Sequence, residues 1–141
     1  MTKKIKKNSR GTKLKTDAFA DALNGLVYIS ETDADILPFN GDEAFQVTAE
    51  EIRRQTGTAI DVKIEIVDPK GFFERLTTIR EWFGDVEKER AARFLKLNEE
   101  LTRELVDVKV FRVGTIRLDI YIVGIDADGR LAGVKTKAVE T

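Results

Sequence analysis

Ile116-Arg117-Leu118-Asp119-Ile120-Tyr121-Ile122-Val123, with Asp126-Ala127-Asp128-Gly129 just beyond it, decides the fold. Ile116, Leu118, Ile120 and Ile122 recur at every second position, the period of a strand with one face buried. Tyr121 and Val123 fall on the opposite face, so both faces of the sheet are expected to carry some cover. Asp126–Gly129 is a turn signal, and residues 130–138 read as the returning strand of a hairpin. Upstream, residues 108–113 form a further strand that runs into a tight turn at Gly114. Consecutive strands joined by short loops pair antiparallel. The predicted class is α+β: a three-layer α-β-α sandwich around a mainly antiparallel sheet of four or five strands.

The segments before this meander supply the other layers. Ala18, Phe19, Ala22, Leu23, Leu26 and Val27 recur at helical spacing, predicting a first helix to about Tyr28. Residues 34–40 look like a short strand, and Pro38 puts it at an edge. Thr48 with Glu51 is a capping box for a short helix that Gly57 closes. Val62, Ile64 and Ile66 alternate with Lys63 and Glu65 as a half-buried strand. Asp68-Pro69 is an N-cap with proline at the first helical position, opening a stretch that holds Phe72 and Phe73. Thr78 and Glu81 suggest another capping box around Trp82. The longest helix spans about 86–105, with Ala91, Phe94, Leu95, Leu101 and Leu105 inward and its glutamates on the wet face.

Composition narrows the function. The 141 residues are one domain's worth of chain and include neither histidine nor cysteine. That removes Ser-His-Asp triads, Cys-His pairs, disulfides and ordinary zinc sites. Carboxylate catalysis and Mg²⁺ or Ca²⁺ binding remain open, but the expectation is a non-enzyme with no catalytic residues and no cofactor. No apolar run approaches the roughly 20 residues of a membrane-spanning helix. The basic residues at the start lack the apolar stretch of a secretory signal. A cytoplasmic protein without a membrane partner is expected.

Residues 1–16 hold Lys3, Lys4, Lys6, Lys7, Arg10, Lys13 and Lys15 and no acid, and read as a disordered basic leader before a single domain over 17–141. Setting those seven aside leaves 17 basic against 25 acidic residues, a net charge near −8 on the remainder. Such a surface repels nucleic acid and attracts a basic partner, so direct nucleic-acid binding is not expected from the folded domain.

Three places are candidates for binding. Ser30-Glu31-Thr32-Asp33-Ala34-Asp35 is an acidic stretch after the first helix, although a solvated loop would look the same. Glu81-Trp82 is either a cap residue beside a core aromatic or an acid beside an exposed tryptophan, the residue type enriched at interface hot spots. Val139-Glu140-Thr141 follows the last strand so closely that the Thr141 hydroxyl and terminal carboxylate should lie near the sheet, unless the end frays. Asp126–Gly129 resembles half of a calcium loop but lacks the twelve-residue ligand set.

The chain also resembles the nuclease A inhibitor family over roughly residues 18–141. The resemblance is carried by Ile29-Ser30-Glu31, Gln55-Thr56-Gly57, Phe72-Phe73, Thr77-Thr78 followed by Trp82, Leu118-Asp119 through Gly124, and Leu131-Ala132-Gly133 running to Val139-Glu140-Thr141. It implies an α-β-α sandwich that occludes the active site of a Mg²⁺-dependent, sugar-non-specific DNA/RNA endonuclease. It further implies that Glu31 reaches the partner's catalytic Mg²⁺ in trans, that Glu81 and Trp82 contact the enzyme, and that Thr141 enters its active site. One member of the family has Asp where this chain has Glu81, and the extra methylene moves that carboxylate outward. The alternative from another class is a non-inhibitory adaptor domain of the same fold.

Overall fold

The computed structural model describes residues 19–141. The expected basic leader, and any tie between it and the rest, lie outside the described residues. Among the described residues the elements run in order: α1 at residues 19–23, β1 (Val27–Ile29), β2 (Asp33–Asp35), β3 (Leu37–Glu43), α2 (Ala49–Thr56), β4 (Ile64–Val67), α3 (Pro69–Thr77), α4 (Asp85–Glu104), β5 (Val106–Gly114), β6 (Arg117–Ile125) and β7 (Arg130–Val139). Five strands form one antiparallel sheet in the order β3-β7-β6-β5-β4, and β1 pairs with β2 in a separate small hairpin.

The alternation in β6 sorts the core as expected. Leu118, Ile120 and Ile122 join Phe19, Leu26, Phe72, Phe73, Phe94, Leu97 and Leu101 in a core beneath α1, α3 and α4. Val123 and Tyr121 turn the other way and pack with Val47, Ile52, Phe111, Val113 and Leu131 beneath α2. Helices therefore cover both faces of the sheet. β3 lies at one edge, where Pro38 sits opposite Val134, and β4 forms the other edge.

Several local expectations hold. Thr48 accepts the N–H of Glu51, and Gly57 closes α2. The carboxylate of Glu51 turns to Arg54 and Gln55 rather than back to the cap, so only half of the capping box forms. Asp68 caps α3 with Pro69 in its first turn. At Asp126–Gly129 the Asp126 carboxylate accepts the N–H groups of Asp128 and Arg130, a hairpin turn rather than a cation loop.

Five expectations are corrected. The first helix stops at residue 23, because Gly25 adopts φ +74° and Val27–Ile29 leaves as a strand. Thr78 does not open a helix: it ends α3, and α4 begins at Gly84, whose N–H is held by the Glu87 carboxylate at 2.9 Å. On α4 the buried stripe runs through Leu97 instead of Leu95, which is 48% exposed. Glu100, assigned to the wet face, is buried one turn beyond Leu97, and its Oε1 has no hydrogen-bond partner. On the edge strand β4, Ile66 is exposed, and among the described residues no strand pairs with the outer side of β4.

Candidate functional site

The β1–β2 hairpin is stitched to the end of β7. Its turn, residues 30–32, closes through the Ser30 N–H on the Thr32 carbonyl. The Ser30 hydroxyl oxygen accepts the Val139 N–H at 3.0 Å, and the Glu31 N–H donates to the Val139 carbonyl at 3.1 Å. These bonds fix the backbone of Glu31 and leave its side chain exposed. Beyond β7, the Glu140 N–H donates to the carbonyl of Ile116 in the β5–β6 turn at 2.9 Å. Thr141 then donates both its N–H, at 2.6 Å, and its hydroxyl, at 2.9 Å, to Oε2 of Glu31. Two of the candidate residues, Glu31 and Thr141, are thus in direct contact.

Glu81 and Trp82 lie in the connection between α3 and α4, and both are exposed, Trp82 by 72%. The alternative of a core tryptophan does not apply. The Trp82 ring meets the Phe83 ring edge-on at 4.7 Å, a contact that orients the indole without covering it. Chain direction puts this connection at the same end of the sheet as Glu31. α3 leaves β4 near the level of Val110 and runs back, so that Arg75 in its last turns acts electrostatically on Tyr28 and Glu140. α4 finishes at the other end, where Val106 pairs with Ile125. The first turns of α4, at Val86, Glu89 and Arg90, share a groove with Gly25 and Leu26 and with Val27, the first residue of β1.

Exposed apolar side chains gather here too. Ile29 and Ile116 are 47% and 54% exposed, and Ile79 and Val86 flank the Glu81-Trp82 pair. Carboxylates set among exposed aliphatic and aromatic side chains make a surface suited to a protein partner. Sequence reasoning missed Ile29 and Ile116. Ile116 continues the alternation of β6 by one position, so it read as inward, but it belongs to the turn.

Beneath this surface lies a charge cluster. The guanidinium of Arg112 forks onto both carboxylate oxygens of Glu140 and donates its Nε–H to Glu65 at 3.2 Å. That hydrogen-bonded guanidinium holds the Glu140 carboxyl below its ordinary value, against a smaller opposing effect of burial. Burial raises the Tyr28 phenol, whose ring stacks on Phe72 at 5.8 Å. Among the described residues no group of three or more acidic side chains is arranged to hold a metal ion, and no helix is long and apolar enough to cross a membrane.

No curated protein matches the chain. The profile of the family described as Nuclease A inhibitor-like protein matches residues 14–141, which takes in every element above and the whole of this surface. The chain belongs to the nuclease A inhibitor-like protein family.

Proposed function

We propose that the chain inhibits a Mg²⁺-dependent, sugar-non-specific endonuclease by occupying its active site, with Glu31, Glu81, Trp82 and Thr141 as the contact residues. The observation that carries this reading is the exposed carboxylate of Glu31, held at a hairpin tip by two hydrogen bonds to one of its oxygens from Thr141. Among the described residues no hydrogen bond engages its other oxygen, Oε1.

The chemistry follows from what such a nuclease must present. Its active site offers a Mg²⁺ with open positions and cationic side chains for phosphate. Mg²⁺ takes hard oxygen ligands, and a carboxylate oxygen stands in for a phosphate oxygen. A carboxylate bonded through carbon offers no scissile bond, so the site is filled without turnover. Glu31 is the ligand to the partner's metal in this reading, and the chain holds no catalytic residue or cofactor of its own. Trp82 supplies desolvated area beside it, and Glu81 faces the partner's cations. The excess of acidic residues over 17–141 speeds encounter with a basic groove and disfavours direct contact with nucleic acid. The reading places the inhibitor in the cytoplasm, where it would protect the cell's own nucleic acid.

The test is DNA and RNA degradation by a panel of Mg²⁺-dependent non-specific nucleases titrated with the full chain. Stoichiometric loss of activity against at least one is expected. Full activity of all of them at excess chain, with binding to one retained, would instead establish a non-inhibitory adaptor.

A further inference from the structure

We propose that Arg112 is a positioning residue of the inhibitory surface: through Glu140 it holds Thr141 on Glu31, so that the contact groups are in place before the nuclease arrives. The proposal rests on the reading of this surface as an inhibitory one.

The argument begins with what happens after β7. The ladder between β6 and β7 ends at the Arg117–Val139 pair. Past it, the backbone of residues 140 and 141 makes a single bond to other backbone among the described residues, from the Glu140 N–H to Ile116. Two residues extending past a ladder ordinarily fray. Here the Glu140 side chain is gripped by a fork-to-fork pair, the geometry in which arginine and a carboxylate fix each other's orientation. Arg112 is in turn fixed. It lies in β5 between Ile120 on one side and Glu65 on the other, its side chain is 18% exposed, and its third donor direction is occupied by Glu65. A rigid strand therefore holds Glu140. Glu140 directs the next residue, and Thr141 delivers two hydrogen bonds to a single oxygen of Glu31. Lysine could not replace the arginine, because a point charge does not set the plane of the carboxylate. Ordering a flexible segment on binding weakens association, and ordering it beforehand avoids that loss.

The experiment uses the full chain with Arg112→Gln and Arg112→Lys, each alone and combined with removal of Thr141. Two quantities are read: inhibition of a Mg²⁺-dependent non-specific nuclease, and amide hydrogen exchange at Glu140 and Thr141. With Thr141 present, Arg112→Gln should weaken inhibition about tenfold through lost pre-organisation, and Arg112→Lys should recover only part of it. Without Thr141, Arg112→Gln should have little further effect, because its target is gone. A role in general stability would instead give the same loss in both backgrounds, and that result overturns the proposal. Exchange at Thr141 should accelerate in Arg112→Gln while exchange in the centre of β6 stays unchanged. Unaltered exchange at Thr141 also overturns it. Because exchange needs no nuclease, a chain that inhibits nothing would refute the functional reading and still leave the positioning claim decided.

Discussion

Oε2 of Glu31 accepts both the backbone N–H and the hydroxyl of Thr141, two residues separated by 110 positions in sequence. Each fixes the other. The hairpin turn presents the carboxylate, and the residue after the last strand prevents it from swinging. If Oε1 is the oxygen that reaches a partner's magnesium, charge at this position matters more than hydrogen bonding. Glu31→Gln keeps an acceptor for Thr141 but loses the charge, whereas Glu31→Ala loses both. Both variants are expected to weaken inhibition by about 2 kcal/mol, roughly thirtyfold, as is usual for a central interface residue. Because the side chain is exposed, stability should change by no more than about 1 kcal/mol. Inhibition constants and thermal melts for the two variants provide the check. A Glu31→Gln protein as potent as the parent would remove the metal contact from the account.

Acid should loosen the same surface from below. The Glu140 carboxyl is held below its ordinary value of 4.5 by its bonds to Arg112. A carboxyl lowered in the folded state stabilises that state above its unfolded value, and the benefit is lost as pH falls through the lowered folded value. Glu140→Gln should therefore melt below the parent at pH 6 to 7. The difference should close as pH falls beneath 4.5, where Glu140 in the parent also takes up its proton. Paired thermal melts across this range test it. The side chain is 41% exposed, so the effect is expected to be modest. A gap that widens toward acid would contradict the assignment.

Gly133, part of the stretch that carries the family resemblance, is required by the fold rather than by the surface. Its φ is +153°, and a Cβ there would stand 2.1 Å from the Ile122 carbonyl oxygen and 2.9 Å from the Val123 Cα. Both are backbone atoms of β6, which cannot rotate away. Gly133→Ala should cost about 2–4 kcal/mol, combining conformational strain with overpacking. The expected sign is a lower urea midpoint with little change in slope. Inhibition by the fraction that stays folded should be nearly normal, since Gly133 lies six residues before Val139 and pairs with Phe39 and Val123 rather than with the proposed contact residues.

The sandwich was legible because its signals are local. Alternation in β6 assigned inward and outward residues correctly from Leu118 to Val123, and the caps at Thr48 and Asp68 are set by side chains within three residues. The errors arose where two periods overlap or a turn interrupts one. Leu26 and Val27 fit the helical spacing of the preceding residues, yet Gly25 redirects them into a hairpin. Thr78 and Glu81 have capping-box spacing, yet Thr78 ends α3, its N–H and its hydroxyl both donating to the Glu74 carbonyl. The surface itself was legible only residue by residue. Contacts such as Arg112 with Glu140 or Glu31 with Thr141 depend on strand register and on how the hairpin packs against β7, and no short-range pattern encodes either.

Trp82 separates anchoring from steering. At 72% exposure, with the Phe83 ring as its aromatic neighbour, it contributes little to the folded state. Trp82→Ala should leave the melting temperature within about 3 °C of the parent, as surface substitutions usually do. If the indole is buried against the nuclease, its truncation should cost about 2 kcal/mol of binding. That loss should fall on dissociation, because an uncharged anchor acts only after the proteins touch. Salt should do the reverse. If an acidic face meets a basic groove, raising ionic strength should slow association of parent and variant alike by screening that attraction, and leave their dissociation rates comparatively unchanged. Surface-plasmon or stopped-flow kinetics at low and high salt resolve both effects in one series. If Trp82→Ala alters neither rate, the connection between α3 and α4 does not meet the enzyme, and the contact surface contracts to Glu31, Thr141 and their neighbours.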